Sequence, residues 1–450
     1  MVSRIALIGE NSIEYIKMLL NIWNNGDCAV LIDCQIPPSV AVEMMLEANV
    51  GVCYVERKYY DKIHEKLYKP VELFPYEKEN SYAQLLPTEI YNIFQEKYSR
   101  DEAVVIYSSG TTGRAKGIIL SHFAINTNAD AIINYIKPNN DDCMYIVKNL
   151  AHSSTITGEL LVALKTRTQI LIAPIVMPPR YVLNNIVKYN VSIVCVNPLL
   201  LSMYCDEYKK RDYDFSSLKK IYVSGSILSD RIYGMAKTLL CKQEIYNVYG
   251  LSEAGPRVAA QRGDCCQGNS VGKAIEGVDI VIVDESGNVL SNGECGIIHV
   301  NTPSRFNGYI QGSVKHKSLY QDWLNTGDMG YFDEHGELHI IGRSDDMIII
   351  GAHKIYPFDI EQQIQAFTDI YECVVTMINF RNEDILCCLY VSNLEIRKDI
   401  KSVLSTVLSK HEIPKLFVQT KDIPRTRNGK LAMTNVIDII IHEIQRRIAK

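Results

Sequence analysis

The 450-residue chain is short of several features, and each shortage removes a class of protein. No apolar run approaches the ~20 residues of a transmembrane helix. The stretch Met347-Ile348-Ile349-Ile350 is far too short. The N-terminus, from Met1 to Ile8, reads as a strand and lacks the basic segment and long apolar stretch of a secretory signal. Basic residues are not in excess: 47 Lys and Arg stand against 52 Asp and Glu, a formal net charge of -5. They are spread along the chain, which argues against nucleic acid as a partner. No internal repeat and no low-complexity linker is visible. The thirteen cysteines are odd in number, and Cys265-Cys266 and Cys387-Cys388 are adjacent pairs rather than Cys-x-x-Cys ligand sets. Reduced thiols and a cytoplasmic location are therefore expected.

At 47% hydrophobic composition the chain can bury a large core and fill more than one domain. Short apolar strand candidates at 104–107, 169–173, 192–196 and 220–223 alternate with helical patterns such as 13–23, 179–189 and 199–208. That alternation predicts an α/β architecture with largely parallel sheets. After about Val271 the texture changes to short strands, 278–283 and 296–301, separated by turn-forming Asp284-Glu285-Ser286-Gly287-Asn288 and Asn292-Gly293. A mixed strand and helix segment of small-domain length follows from Asp346 to Lys450.

The densest text is Tyr107-Ser108-Ser109-Gly110-Thr111-Thr112-Gly113-Arg114-Ala115-Lys116-Gly117. It lies between the apolar runs 103–106 and 118–120, so a loop joins two ordered elements. Its glycines let the backbone approach an anion, its hydroxyls add donors, and Lys116 adds a point charge. That inventory suits a polyphosphate. It is not a Walker A loop, because Lys116 is followed by glycine and the glycine spacing differs. The plain alternative is an ordinary surface turn.

The stretch resembles the phosphate loop of the adenylate-forming superfamily of acyl-CoA synthetases, luciferases and peptide-synthetase adenylation domains. Companion motifs follow in that family's order. Tyr249-Gly250-Leu251-Ser252-Glu253 is similar to its Tyr-Gly-x-Thr-Glu. Asn325-Thr326-Gly327-Asp328 resembles its Thr-Gly-Asp, Gly342-Arg343-Ser344-Asp345-Asp346 its Gly-Arg-x-Asp hinge, and Pro424 to Lys430 its catalytic-lysine segment. The resemblance begins near Arg4, without the tens of residues that family members usually carry before that point. It implies a large N-terminal domain, residues 1–344, of two α/β subdomains and a small β-rich one. A small mobile α+β domain, 345–450, would then rotate about a hinge at Asp345.

The implied reaction is attack of a carboxylate on the α-phosphate of ATP, giving an acyl-adenylate, followed by transfer to the thiol of CoA or of a phosphopantetheinyl carrier protein. Two anions must meet, so magnesium and lysine are the expected charge neutralisers. On the resemblance, Lys430 is the catalytic cation, a compact charge on a long stem; its plain alternative is a solvated surface lysine. Glu253 is the magnesium ligand, one carboxylate beside phosphate oxygens. Ser108, Ser109, Gly110, Thr111, Thr112, Gly113, Lys116 and Ser252 would hold phosphate. Asp328, with Arg343 as its cationic neighbour, would hold the ribose diol. Gly225, Ser226 and Ile227, with Asn247, Tyr249 and Gly250, would flank adenine, although the family's proline is absent at Ile227. Ser224, Gly250, His152 and Ser153 would line the acid. His152 is either a gate beside the reacting carboxylate or a structural histidine.

Ser153 stands where α-amino-acid-activating members carry an aspartate, and a substrate ammonium left uncompensated there would be costly to bury. An aryl or aliphatic acid is therefore expected. Gly351 and Ala352 fall where the family lines its thiol tunnel, with Ala352 replacing a glycine. The alternatives are a stand-alone amino-acid adenylation enzyme and a non-catalytic nucleotide-binding sensor or partner subunit.

Overall fold

The structure is a computed structural model. It describes residues 2–79, 82–108, 115–174, 177–261, 270–310, 320, 323–350, 353–368, 370–380, 383–392, 400–425 and 431–448. The chain adopts the expected α/β class, built on two large sheets and three smaller ones.

The seven-stranded sheet runs in the order Gly308–Tyr309, Lys116–Ser121, Glu102–Ser108, Cys28–Asp33, Arg4–Gly9, Val52–Glu56, Glu72–Tyr76. Cys28–Asp33 reads Cys-Ala-Val-Leu-Ile-Asp and is almost wholly buried, as a strand covered on both faces must be. The helix Ile13–Asn24 covers one face with Ile16, Leu19, Leu20 and Trp23. It starts at Ser12, whose hydroxyl accepts from the Tyr15 amide at 3.0 Å.

The eight-stranded sheet runs Lys273–Ala274, Arg257–Ala260, Glu244–Gly250, Lys220–Val223, Ile193–Val196, Cys143–Ile146, Gln169–Ile172, Gln84–Leu85. Its five inner strands from Glu244–Gly250 to Gln169–Ile172 are parallel, and antiparallel strands close both sides. The expected β-rich part is a four-stranded antiparallel sheet of Asp279–Val283, Gly296–Asn301, Leu324–Phe332 and Leu338–Arg343.

Beyond it, Glu372–Phe380, Glu383–Val391 and Leu416–Gln419 form a three-stranded sheet. Strand period two sorts its side chains into two small cores. Cys373 and Val375 meet Ile360 and Ile364 of helix Pro357–Phe367, while Val374 and Ile378 meet Val436 and Ile440 of helix Met433–Ile448. This part touches the rest through polar groups. Arg231 donates to the Ile370 carbonyl at 3.2 Å and lies over the Tyr371 ring, and the Asp230 amide meets Gln362 at 3.4 Å. Among the described residues no helix is long and apolar enough to cross a membrane.

The sequence suggested a strand, a loop and a second apolar run, without saying how the two runs pair. They form an antiparallel hairpin, Ser108 opposite Lys116, so the Gly/Ser/Thr segment is a hairpin loop. The ladder slips at Ala103, and the Ala103 carbonyl accepts the Trp23 indole N–H at 2.9 Å. Trp23 in turn meets His122 edge-on, ring centroids 6.0 Å apart, at the start of helix His122–Ile136. Burial, helped by the nearby Lys97 charge and opposed by Asp101, pushes the His122 imidazole down to about 4.

That shift has a sign. Unfolded, a histidine takes up its proton near pH 6.5; folded, His122 refuses it until about 4. Stability should therefore fall as the pH drops from about 6.5 towards 4, by up to ~1.4 kcal/mol per unit from this group, and level off below. His122→Phe should flatten denaturant-derived stability across that window relative to wild type. An unchanged slope would show that the imidazole stays protonated in the fold.

Candidate active site

The carboxyl ends of the parallel strands of an open α/β sheet are where ligands settle. In the eight-stranded sheet, Ser224 to Ile227 follow strand Lys220–Val223, Lys148 to Ser153 follow Cys143–Ile146, and Ser252 and Glu253 follow Glu244–Gly250. The expected residues thus gather along one edge, beside the hairpin that carries the phosphate loop.

Gly225 turns the chain with φ +101°, a conformation suited to glycine, and it and Ser226 are exposed at this edge. Ser153 and Ser252 come from different segments, and their hydroxyls meet at 2.7 Å, either one able to donate. His152 precedes the short helix Ser153–Thr155 and its carbonyl accepts the Thr155 amide at 3.0 Å.

Glu253 lies in the single 3₁₀ turn Ser252–Ala254. Its carboxylate accepts the Tyr309 hydroxyl at 2.9 Å. Burial, reinforced by the Glu253 charge, holds that phenol well above its usual range, so it stays a donor. The Lys116 ammonium stands 5.9 Å from the same ring. Lys116, Tyr309 and Glu253 therefore form a line from the foot of the hairpin loop to the proposed metal ligand. Among the described residues no three His, Cys, Asp or Glu side chains cluster as a metal cage. The expected arrangement, one carboxylate completed by phosphate oxygens, does not call for such a cage.

Asp328 sits directly opposite Arg343 in the four-stranded sheet. Its Oδ1 accepts from Arg343 Nη1 at 2.9 Å and its Oδ2 from the Tyr249 hydroxyl at 2.6 Å. Gly327, at φ +72°, leaves room for the guanidinium: a Cβ there would lie 2.7 Å from Arg343 Nη2. Burial pushes the Asp328 carboxyl up, against the pull of Arg343 and Tyr249. Burial likewise opposes the charge on Arg343, but Asp328 outweighs it and raises the guanidinium above its ordinary value. Arg343 Nε is buried and makes no hydrogen bond, a donor left over for a ligand. Asp345 lies just beyond, in the turn Ser344–Asp346.

Two expected residues have contacts to the backbone. Asn247 is buried, and its amide donates to the Ser270 carbonyl at 2.8 Å. Gly250 lies where strands Glu244–Gly250 and Arg257–Ala260 slip register; a Cβ there would come within 1.8 Å of the Pro256 carbonyl oxygen. Ser109, Gly110, Thr111, Thr112, Gly113, Gly351, Ala352 and Lys430 lie outside the described residues, as does the side chain of Ser108.

Sequence reasoning missed a charged group behind Ser153. Lys148 Nζ stands 3.1 Å from Glu159 Oε1, 3.0 Å from Cys195 Sγ and 3.2 Å from Ser224 Oγ. Arg257 is buried nearby. Burial pushes the Glu159 carboxyl up and works against the Lys148 ammonium, which Cys195 and Glu159 nevertheless hold above its usual value. The available signal was a lone charge inside an apolar run: Glu159 before Leu160-Leu161-Val162-Ala163-Leu164, and Arg257 before Val258-Ala259-Ala260.

A family model described as AMP-binding enzyme matches residues 2–310. Indoleacetate–CoA ligase of Aromatoleum aromaticum is 27% identical over 348 residues, 75% of this chain and 67% of that protein. A 2-succinylbenzoate–CoA ligase of Bacillus cereus strain Q1 is 25% identical over 443 residues, 95% of this chain and 86% of that protein. Among solved structures, ATP-bound MatB from Rhodopseudomonas palustris has the same fold. Its TM-score is 0.86 and its identity 21%, over 97% of this chain and 88% of that one.

The Asp328 contacts are open to a double-mutant cycle. Tyr249→Phe should cost about 1.5–3 kcal/mol of stability at neutral pH, as removing a hydrogen bond to a charged group does. In an Asp328→Asn background the same change should cost less, giving a coupling of about 0.5–3 kcal/mol by denaturant unfolding. Strict additivity would mean that the phenol and carboxylate are not bonded.

Proposed function

The chain belongs to the AMP-binding enzyme family, and on that premise we propose that it is an AMP-forming acid–thiol ligase. It activates an aryl or aliphatic carboxylic acid with ATP, releasing pyrophosphate, and passes the acyl group to a thiol. The curated relatives reported above are CoA ligases, which favours CoA over a carrier protein as acceptor. The observation that carries the reading is the convergence on one sheet edge of an Asp328–Arg343 pair, the Glu253 carboxylate and the Ser153–Ser252 hydroxyls, beside the hairpin of the phosphate loop.

The residues divide the work as follows. Asp328, fixed between Arg343 and Tyr249, presents its remaining lone pairs to a ribose diol. Arg343 Nε adds a donor. The loop from Ser108 to Lys116 holds the phosphates with amides, hydroxyls and one ammonium. Magnesium held by Glu253 and phosphate oxygens would neutralise charge on the triphosphate. Ser153 and His152 orient the acid, whose carboxylate oxygen forms a bond to the α-phosphorus as the bond to the pyrophosphate oxygen breaks. Lys430 neutralises both partners in that step. Residues 1–344 and 345–450 act as two domains that turn about Asp345, and Gly351 and Ala352 line the path of the thiol.

Pyrophosphate release over a panel of carboxylic acids tests the reading. Aryl and aliphatic acids should be turned over, and Lys430→Ala should slow release by roughly 10²–10³ while ATP still binds. An α-amino acid as best substrate would sink the assignment built on Ser153. Pyrophosphate release at wild-type speed by the lysine variant would remove Lys430 from the reaction.

The hinge is tested separately. Proline at 345 restricts φ and the preceding residue. Asp345→Pro should leave pyrophosphate release near wild type and impair thioester formation. Equal loss in both steps would make Asp345 a structural residue only.

A further inference from the structure

The charged group behind Ser153 is not neutral. Lys148 and Arg257 bring two positive charges and Glu159 one negative. Lys148 is matched: Glu159, Cys195 and Ser224 surround its ammonium at 3.0–3.2 Å. Arg257 is not. It is 3% exposed, its Nε makes no hydrogen bond, and no carboxylate among the described residues lies within 4.0 Å of its guanidinium. Buried arginines are ordinarily paired, because an uncompensated charge in a low-dielectric interior is costly.

Gly158 faces the Arg257 guanidinium so closely that a Cβ would lie 2.8 Å from Nη2. Gly158 and Glu159 belong to a six-residue π-helix, Ile156–Leu161, a rare form that is frequent at functional sites. Tyr222 stacks on Tyr246 with ring centroids 4.7 Å apart, and Tyr135 lies beside both rings, edge-on to Tyr222 at 6.3 Å and tilted to Tyr246 at 6.4 Å. The Tyr222 hydroxyl is buried and makes no hydrogen bond, while the Tyr135 hydroxyl faces the Arg257 guanidinium. A wall of aromatic rings thus adjoins the arginine, and the Tyr222 phenol on it has no partner.

The group also lies in line with the acid site. Ser153, expected beside the reacting carboxylate, and Gly158, against Arg257, are on one continuous helical segment. Five residues of helical rise separate them by roughly 6–8 Å. Lys148 links the same group to Ser224 on the glycine strip.

We propose that the acid carries a second, anionic oxygen group, roughly 6–8 Å from the reacting carboxylate, which Arg257 binds, with Lys148 and Glu159 as its charged surroundings. This rests on the acid-ligase reading and narrows its substrate class to acids with a distal carboxylate or an equivalent oxyanion. Bound there, the anion makes the group neutral and gives Arg257 the carboxylate partner that the described residues do not supply.

The test compares matched acids within each variant, by kcat/KM for pyrophosphate release. Phenylacetate is set against 4-carboxyphenylacetate and its uncharged isostere 4-carbamoylphenylacetate, and heptanoate against heptanedioate. Wild type should favour the doubly charged acid of at least one pair by tenfold or more. Arg257→Met should lower that ratio at least tenfold, and Arg257→Lys should keep part of it. Gly158→Ala, which crowds the guanidinium without removing it, should also lower the ratio; it decides the matter if thermal melts show Arg257→Met to be unfolded. Preference for the singly charged acid in both pairs, equal use of the carbamoyl compound, or an unchanged ratio in a folded Arg257→Met would overturn the proposal while leaving acid activation intact. Release with none of the five acids by an enzyme that turns over an α-amino acid would overturn the acid-ligase assignment, and this proposal with it.

Discussion

The Asp328 carboxylate joins the antiparallel sheet to the parallel one. One oxygen is held by Arg343, its cross-strand neighbour in the four-stranded sheet, and the other by Tyr249 from the eight-stranded sheet. Burial disfavours the charge, and the two contacts together make it tolerable. Breaking a buried pair from one side typically costs about 3–5 kcal/mol, because the remaining charge is left alone. The strand that ends at Arg343 leads at once into the turn Ser344–Asp346, so the same ion pair sets where the chain leaves for its C-terminal portion. Ligand geometry and chain trajectory are thus fixed by one contact.

The two buried ionic groups contrast. Around Asp328 the acceptor has donors on both oxygens. Around Arg257 the matching is incomplete: its Nε and the Tyr222 hydroxyl make no hydrogen bond. A fold tolerates a few such atoms, but a concentration of them beside a substrate edge is unusual on packing grounds alone. Glu159 lowers the excess positive charge without cancelling it, which keeps the site attractive to an anion yet less costly when empty.

Much of this was legible in the sequence. The strands at 102–108, 169–172, 193–196 and 220–223 stood out because each is an apolar run bounded by turns, and the β-rich texture after Val271 followed from Asn-Gly and Ser-Gly punctuation. The Asp328–Arg343 pairing could be expected from two motifs, and the ladder places them face to face. What stayed hidden depends on three dimensions. Nothing local says that runs 102–108 and 116–121 form a hairpin rather than neighbours in a parallel sheet. Asn247 and Gly250 sit within a motif segment, but their neighbours Ser270 and Pro256 come from elsewhere in the chain and engage them structurally. The π-helix leaves no mark on the pattern of Ile156 to Leu161, because its apolar residues fit an α-helix as well. Lys148, Glu159 and Arg257 are far apart in sequence, and only packing brings their charges together.

The Ser153–Ser252 contact has a direction as well as a length. Two hydroxyls 2.7 Å apart share a single proton between them, and each has one proton to give. If Ser252 turns its hydrogen outward to an anion on its own side, Ser153 must donate inward and can only accept from its other neighbour. If Ser153 turns outward, the roles reverse. The pair works like a two-position rocker: a donor supplied to one face is withdrawn from the other. Anions on the two faces therefore compete for one dipole, and both can be served only if the bond between the two hydroxyls is given up.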